Sequence, residues 1–303
     1  MRISTSIIYS SGVSSIQIQM ADVLKTQQQV ATGRRVLTPE DDPIAASSIL
    51  DLSQSISVTQ QYKVNTDSAK SSLELEDSVL SSVTDLVQNM KTLAVSAGNP
   101  VLNASDRARI GVEVSAGYQQ LLGLANQKDD KGQYIFSGYQ GATKPFTQAS
   151  GAGAYAGGQG QRNVQVSPSR QIATSDTGTD VFKPGVAGQD LFKTLDDFAT
   201  ALNTSALTPA AVTAAVNTAL NGLSSSLDNV LKVRASAGSR LKEIDSVQST
   251  GDELNLNYQQ SLSNLRDVDY TKAVSDLTQQ QMYLEAAQKS FLKVSGLSLF
   301  NFI

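Results

Sequence analysis

From Leu220 to Leu265 the chain keeps one register, in steps of three and four residues, and few folds accept so long a run. The positions are Leu220, Leu223, Leu227, Val230, Arg234, Ala237, Leu241, Ile244, Gln248, Gly251, Asn255, Tyr258, Leu262 and Leu265. Ten of these fourteen are Leu, Val, Ile, Ala or Tyr, the pattern of coiled-coil packing. Thr208-Pro209 is a cap followed by a first-turn proline, so the spacing predicts one helix from Pro209 to Arg266. At 1.5 Å per residue such a helix is on the order of 90 Å long, a rod rather than a globular-domain helix. Aromatic residues at 6% and charged residues at 17% suit long thin helices better than thick layers.

Helical spacing extends over most of the rest. Near the N-terminus the stripe is Val13, Ile16, Met20, Val23, a polar Gln27 and Val30, ending at Thr32-Gly33, where glycine supplies a left-handed cap. Residues 37–43 form a break (Leu37-Thr38-Pro39-Glu40-Asp41-Asp42-Pro43), with Asp42 as N-cap and Pro43 at the first helical position. A second helix is predicted from Pro43 to about Ala97, with the stripe Val79, Val83, Leu86, Met90 and Leu93, stopped by Gly98-Asn99-Pro100. Ser105 is read as the cap of a third, ending near Lys131-Gly132. A last helix after Asp267-Val268-Asp269 has the seam Ala273, Leu277, Gln280, Leu284, Ala287, Phe291 and Val294, and the chain finishes on the apolar run Leu297 to Ile303.

The character changes after Gly132. Residues 132–188 hold eleven of the 21 glycines, and alternation replaces the helical step in Tyr134-Ile135-Phe136, Val164-Gln165-Val166 and Val181-Phe182. This predicts short strands in a β-rich insertion, with Gly151 to Gly160 as a surface loop and not a phosphate cradle. The expected fold is therefore mainly α with a β-rich insertion: a long antiparallel helical rod from both chain ends plus a small outer β domain. The expected division is 1–40 with 268–303, 41–133 with 189–267, and 134–188.

The terminal stripes are too poor in Leu and Ile to stand alone, since isolated helices of ~20 residues are marginal in water. Pairing Val13, Ile16, Met20 and Val23 with Leu277, Leu284 and Phe291 yields ~1.5–3 kcal/mol per buried side chain. Backbone ordering at ~1–2 kcal/mol per residue offsets most of it. The termini are thus expected to become fully ordered when many copies stack and cover the pair.

Chemistry is narrowed by what is missing. The chain has no His and no Cys, which removes the commonest proton carrier and metal ligand, and every thiolate. Adjacent acid pairs (Asp41-Asp42, Asp129-Asp130, Asp196-Asp197) do not share a helix face and read as caps or solvated ends. No catalytic, cofactor-binding or metal-binding residue is assigned. A net charge of −4 gives no electrostatic reason to seek nucleic acid or an anionic membrane, and Arg34-Arg35 reads as a solvated helix end. The first twenty residues lack a basic segment followed by an apolar core, so no cleavable leader is expected.

Three stretches carry a resemblance. QQVATGRRVLTPEDDPIAASSILDL contains a Pro-x-Asp-Asp-Pro motif at Pro39, Asp41, Asp42 and Pro43. KGQYIFSGYQGATKPF resembles the approach to an outer domain, and LRDVDYTKAVSDLTQQQMYLEAAQKSFLKVSGLSLFNFI resembles a C-terminal signature. Together they are similar to the flagellin superfamily, and within it to the family found at the hook–filament junction. Filament flagellins usually carry Ala after the Asp pair and no second Pro. The resemblance implies a structural, non-enzymatic subunit of the extracellular bacterial flagellum, exported by the type III route. It implies a ring of identical copies, with hook-associated protein 1 on the hook side, flagellin on the filament side and an export chaperone before secretion. It implies no cofactor, nucleic acid or membrane. The alternatives left open are a filament flagellin, or a secreted binding protein with its site in the β insertion.

Overall fold

The computed structural model describes residues 5–149, 152–204 and 208–296. The elements in order are α1 (Thr5–Thr32), α2 (Pro43–Ala97), α3 (Ala104–Ala125), a 3-10 turn (Ile135–Ser137), β1 (Phe146–Ala149), β2 (Ala152–Tyr155), β3 (Asn163–Ser167), β4 (Arg170–Ala173), α4 (Gly178–Phe182), α5 (Leu191–Asn203), α6 (Pro209–Arg266) and α7 (Tyr270–Gly296). They fall into two compact units, residues 60–252 and residues 1–59 with 253–303.

In the unit 60–252, α2 and α6 pair along the predicted register. All fourteen α6 register positions, including those beyond residue 252, are buried or half-buried. The polar ones among them reach across to α2: Arg234 Nε donates to Asp77 Oδ1 at 3.0 Å, and Gln248 Nε2 to Asp67 Oδ1 at 3.1 Å. Beside the seam, Lys63 pairs with Asp252 at 2.6 Å and Lys70 with Asp245 at 2.7 Å, seven residues apart on both helices. A rung that descends in one helix as it rises in the other fixes an antiparallel pair.

The core gathers Leu80, Val83, Val87 and Met90 of α2, Val114, Tyr118 and Leu121 of α3, Leu191, Phe192 and Leu195 of α5, and Val216, Leu223 and Val230 of α6. Four fully buried rings close it. Phe146 lies 5.2 Å from Phe182 and 4.8 Å from Phe192, and Phe136 lies 5.4 Å from Phe182 between ring centroids. Asn126, at the end of α3, brackets Phe146 with its side chain, donating to the carbonyl and accepting from the N–H at 3.0 Å each.

The strand content is smaller than the alternation suggests. It consists of two separate antiparallel hairpins, β1–β2 and β3–β4. Of the three alternating runs, Val164–Val166 lies in β3. Tyr134–Phe136 enters a 3-10 turn, and Val181-Phe182 ends α4, which Thr177 caps by accepting from Asp180 N–H. Two or three apolar residues cannot distinguish a strand from one helical turn; here the aromatic rings are buried in the helical core instead of lining a sheet. The tract expected as a loop contributes β2. The cap of α3 is Asn103 and not Ser105, with Asp106 N–H donating to Asn103 Oδ1 at 2.9 Å. The helix also ends at Ala125, and Gly132 takes a left-handed φ of 76° in a turn beyond it. The β3–β4 hairpin packs Val166 and Ile172 against Ala69 and Leu73 of α2 and Ala237 and Ile244 of α6.

Candidate assembly interface

In the unit formed by residues 1–59 and 253–303, α1 and α7 lie antiparallel. Gly33 at the end of α1 meets Tyr270 at the start of α7, and Gly12 near the other end meets Phe291. The Phe291 ring lies so close over Gly12 that an added Cβ would sit 2.6 Å from it; Tyr9 stacks on the same ring at 5.1 Å between centroids.

The predicted α7 seam faces inward as far as it is described: Ala273 is buried, and Leu277, Gln280, Leu284, Ala287 and Phe291 are half-buried. Val294 and the apolar run Leu297 to Ile303 lie outside the described side chains. On α1, Val13, Ile16, Val23 and Val30 are half-buried, whereas Met20 is 54% exposed. The shielded positions beside the latter are Gln19 and, a heptad later, Thr26; Gln27 is exposed. Hydrophobicity favoured Met20 over Gln19, but the helix twist sets the face. Gln19 and Gln280 each bury an amide oxygen without a hydrogen-bond partner, which weakens the pair.

A joint fixes where both helices turn. Gly33 adopts φ 69°, and after it Arg34 bridges Asp267 in an antiparallel pairing, Arg35 N–H donating to Arg266 C=O at 2.7 Å and Val268 N–H to Gly33 C=O at 3.0 Å. Arg35 also donates through its guanidinium to Leu265 C=O at 2.9 Å and to Asp42 at 3.2 Å. Arg35 is thus a clamp across the joint, not a solvated helix end. Its signal in the sequence was faint: a basic pair seven residues before an acidic pair.

The break motif divides its work. Asp42 caps α2, Oδ1 accepting from Ala45 N–H at 3.0 Å, and Pro43 follows at the first helical position. Asp41 accepts from Leu37 and Thr38 N–H, both at 3.0 Å, and binds Lys25 of α1 at 2.7 Å. The Lys25 ammonium, with these two N–H groups, holds its pKa down to about 2. Asp42 is lowered by the Ala45 N–H and then by Arg35. Pro39 is exposed at the tip of the turn.

Among the described residues no group of three or more acidic side chains could hold a metal ion, and no helix is long and apolar enough to cross a membrane. What stands out is surface: Ile7, Ile18, Met20 and Leu24 of α1 and Val274 and Met282 of α7 are between 48% and 61% exposed.

Comparison with known proteins fits these features. Residues 3–141 match the model of the bacterial flagellin N-terminal helical region. Flagellar hook-associated protein 3 of Salmonella typhimurium is 37% identical, and that of Escherichia coli 38%, each alignment covering 99% of both chains. The solved structure of a putative flagellar hook-associated protein from Vibrio parahaemolyticus superposes with a TM-score of 0.69 at 22% identity, over 75% of this chain and all of that one.

Proposed function

The chain belongs to the family of flagellar hook-associated protein 3, and from that premise we propose that it is a structural subunit of the bacterial flagellum, set between hook and filament. Copies form a ring, with hook-associated protein 1 on one side and flagellin on the other. The chain is exported, kept competent by an export chaperone, and works by fit and not by catalysis. Residues 1–40 with 268–303 make the assembly core, 41–133 with 189–267 the helical wall, and 134–188 the outward part.

One observation carries this reading: the α1–α7 pair covers one stripe of each helix and leaves large apolar side chains on the others. Two helices share a single line of contact, so an amphipathic pair with apolar residues beyond that line needs further helices beside it. Neighbouring copies supply them. The assembly seam is then Val13, Ile16, Val23 and Val30 with Ala273, Leu277, Leu284, Ala287 and Phe291 inside the pair, and Met20 at the boundary between copies; the expected seam member Val294 lies outside the described side chains. Pro39, Asp41, Asp42 and Pro43 set the direction from which α1 reaches it.

Deleting Leu284 to Ile303 tests the reading in cells whose only copy is the truncated one. Secreted truncated protein without attached filaments is the expected result; attached filaments would overturn the seam. Electron microscopy of the purified full chain addresses the filament alternative, which long filaments from this protein alone would favour.

A further inference from the structure

Glu76 is an ionisable side chain in the wrong place for a charge. It sits on α2 with no exposed surface. One carboxyl oxygen, Oε1, accepts from Asp176 N–H at 2.9 Å, while Oε2 is buried without a hydrogen-bond partner. Ser175 Oγ and Arg162 Nε are buried without one as well.

The charged groups around it are already engaged. Arg240 of α6 donates to the Asp176 carboxylate and to Ala173 C=O, and Gln161 donates to the other Asp176 oxygen at 2.7 Å. Arg162, just before β3, donates to Gln133. Asp180 of α4 adds a negative charge that bears on Asp176. Among the described groups Glu76 therefore has no cation bound to it; its one hydrogen bond comes from the Asp176 backbone N–H, and the carboxylate of that same residue bears on it as a like charge.

Residues 173–177 form a strap joining β4 to α4. Towards its N-terminal side lies the β3–β4 hairpin, held on the same two helices by Val166 and Ile172, by the Arg170–Glu243 ion pair and by Asn65 Nδ2 donating to Gln165 C=O at 2.8 Å. Val166 and Ile172 are buried in that contact, so the hairpin has a hold on the helices separate from that of the strap. Among the described residues, the strap's one hydrogen bond to α2 is that to Glu76.

We propose that Glu76 is a proton-operated latch: protonated, it lies neutral against α2 and holds the strap 173–177; deprotonated, it repels Asp176 and loosens the strap from α2, while the β3–β4 hairpin keeps its own apolar contact. Burial is the largest influence on the Glu76 carboxyl and Asp176 the next; against the Asp176 N–H, Arg240 and Arg162 they raise its pKa to about 8. Asp176 is itself raised by burial, with Arg240 opposing. The folded chain thus holds a proton at Glu76 that an unfolded chain releases near 4.5. The stabilisation is complete below that value, declines as the pH rises, and is gone above about 8. The latch is shut in acid and opens in alkali, so the strap's hold on α2 follows the acidity of the surrounding medium.

Hydrogen–deuterium exchange on the full chain reads this directly, with rates corrected for intrinsic pH dependence. Between about pH 6 and about pH 9.5, peptides covering 173–177 are expected to lose protection by about tenfold, while α3 and α5 peptides hold theirs. Glu76→Gln, neutral at every pH, is expected to remove that dependence. Equal loss in wild type and variant, or none in wild type, overturns the latch. Should Glu76→Gln fail to fold, carbon-13 glutamate labelling of the wild type settles it: one glutamate carboxyl titrating above pH 7 is expected, and none overturns the proposal.

Discussion

The two units of this chain use similar helices and place their apolar side chains in opposite ways. In residues 60–252 they converge: Leu73, Leu80, Leu121, Phe146, Phe182, Phe192, Leu195, Leu223 and Ile244 are all fully buried. In residues 1–59 with 253–303, the buried apolar residues among those described are Val36, Ala45 and Ala273. There, Ile7, Ile18, Met20, Leu24, Ile44, Leu50, Leu256, Met282 and Tyr283 stand between 49% and 80% exposed. The difference is one of dimension. Four helices around aromatic plugs enclose a volume, whereas two helices enclose only a line, and anything off that line meets water. The central unit buries its large apolar side chains within itself; the terminal unit leaves many of them on its surface.

That contrast can be attacked at its strong side first. Phe146→Ala empties the middle of the ring cluster and is expected to cost the central unit ~3–5 kcal/mol, read by chemical denaturation. A loss below ~1 kcal/mol would mean the centre is as loosely built as the ends. Next, replacing Gln19 and Gln280 together by Leu removes the two unpaired amide oxygens from the α1–α7 line. A gain of ~1–3 kcal/mol in the exchange protection of α1 and α7 is expected, with the central unit unchanged. No gain would place those amides in contact with solvent.

The units also answer pH in opposite senses. Asp41 is held at about 2 against an ordinary 3.8, so its contribution is present above 3.8 and lost as the pH falls towards 2. Exchange of the Leu37 and Thr38 amides is expected to speed up over that interval, and Lys25→Met should narrow it by raising the Asp41 pKa. An unchanged Asp41 titration in Lys25→Met would remove the ion pair from the joint. The smallest effect belongs to the exposed pair Lys193–Asp197 on α5, at 3.0 Å. Lys193→Ala is expected to change the thermal midpoint of the central unit by the equivalent of less than ~0.5 kcal/mol.

Much of this was open to a reader of the sequence. The α6 register, the proline that starts it, the glycine that ends α1 and the Asp42-Pro43 start of α2 are local signals, because caps and periodicity act within one or two turns. The inward face of α7 followed from the same rule. The shielded face of α1 was legible except at Met20 and Gln19, where hydrophobicity and helix geometry disagree and geometry prevails. The Pro-x-Asp-Asp-Pro motif was visible, but its partners Lys25 and Arg35 were not, since Lys25 lies in α1 and the joint forms when two distant turns meet.

The sequence alone determined that this chain would be built of long helices with an interruption in the middle, because helix formation is written in near neighbours. Tertiary structure decided what the interruption became. Phe136 and Phe182 sit in a glycine-rich stretch whose alternation suggested strands, and with Phe146 of β1 they became the plug of a helical core because only there could large rings escape water. It also decided the fate of Glu76, an ordinary acid in the middle of α2, which meets Asp176 a hundred residues later. Burial and opposing charge depend on which segments converge, and that information lies in the packing of the whole chain.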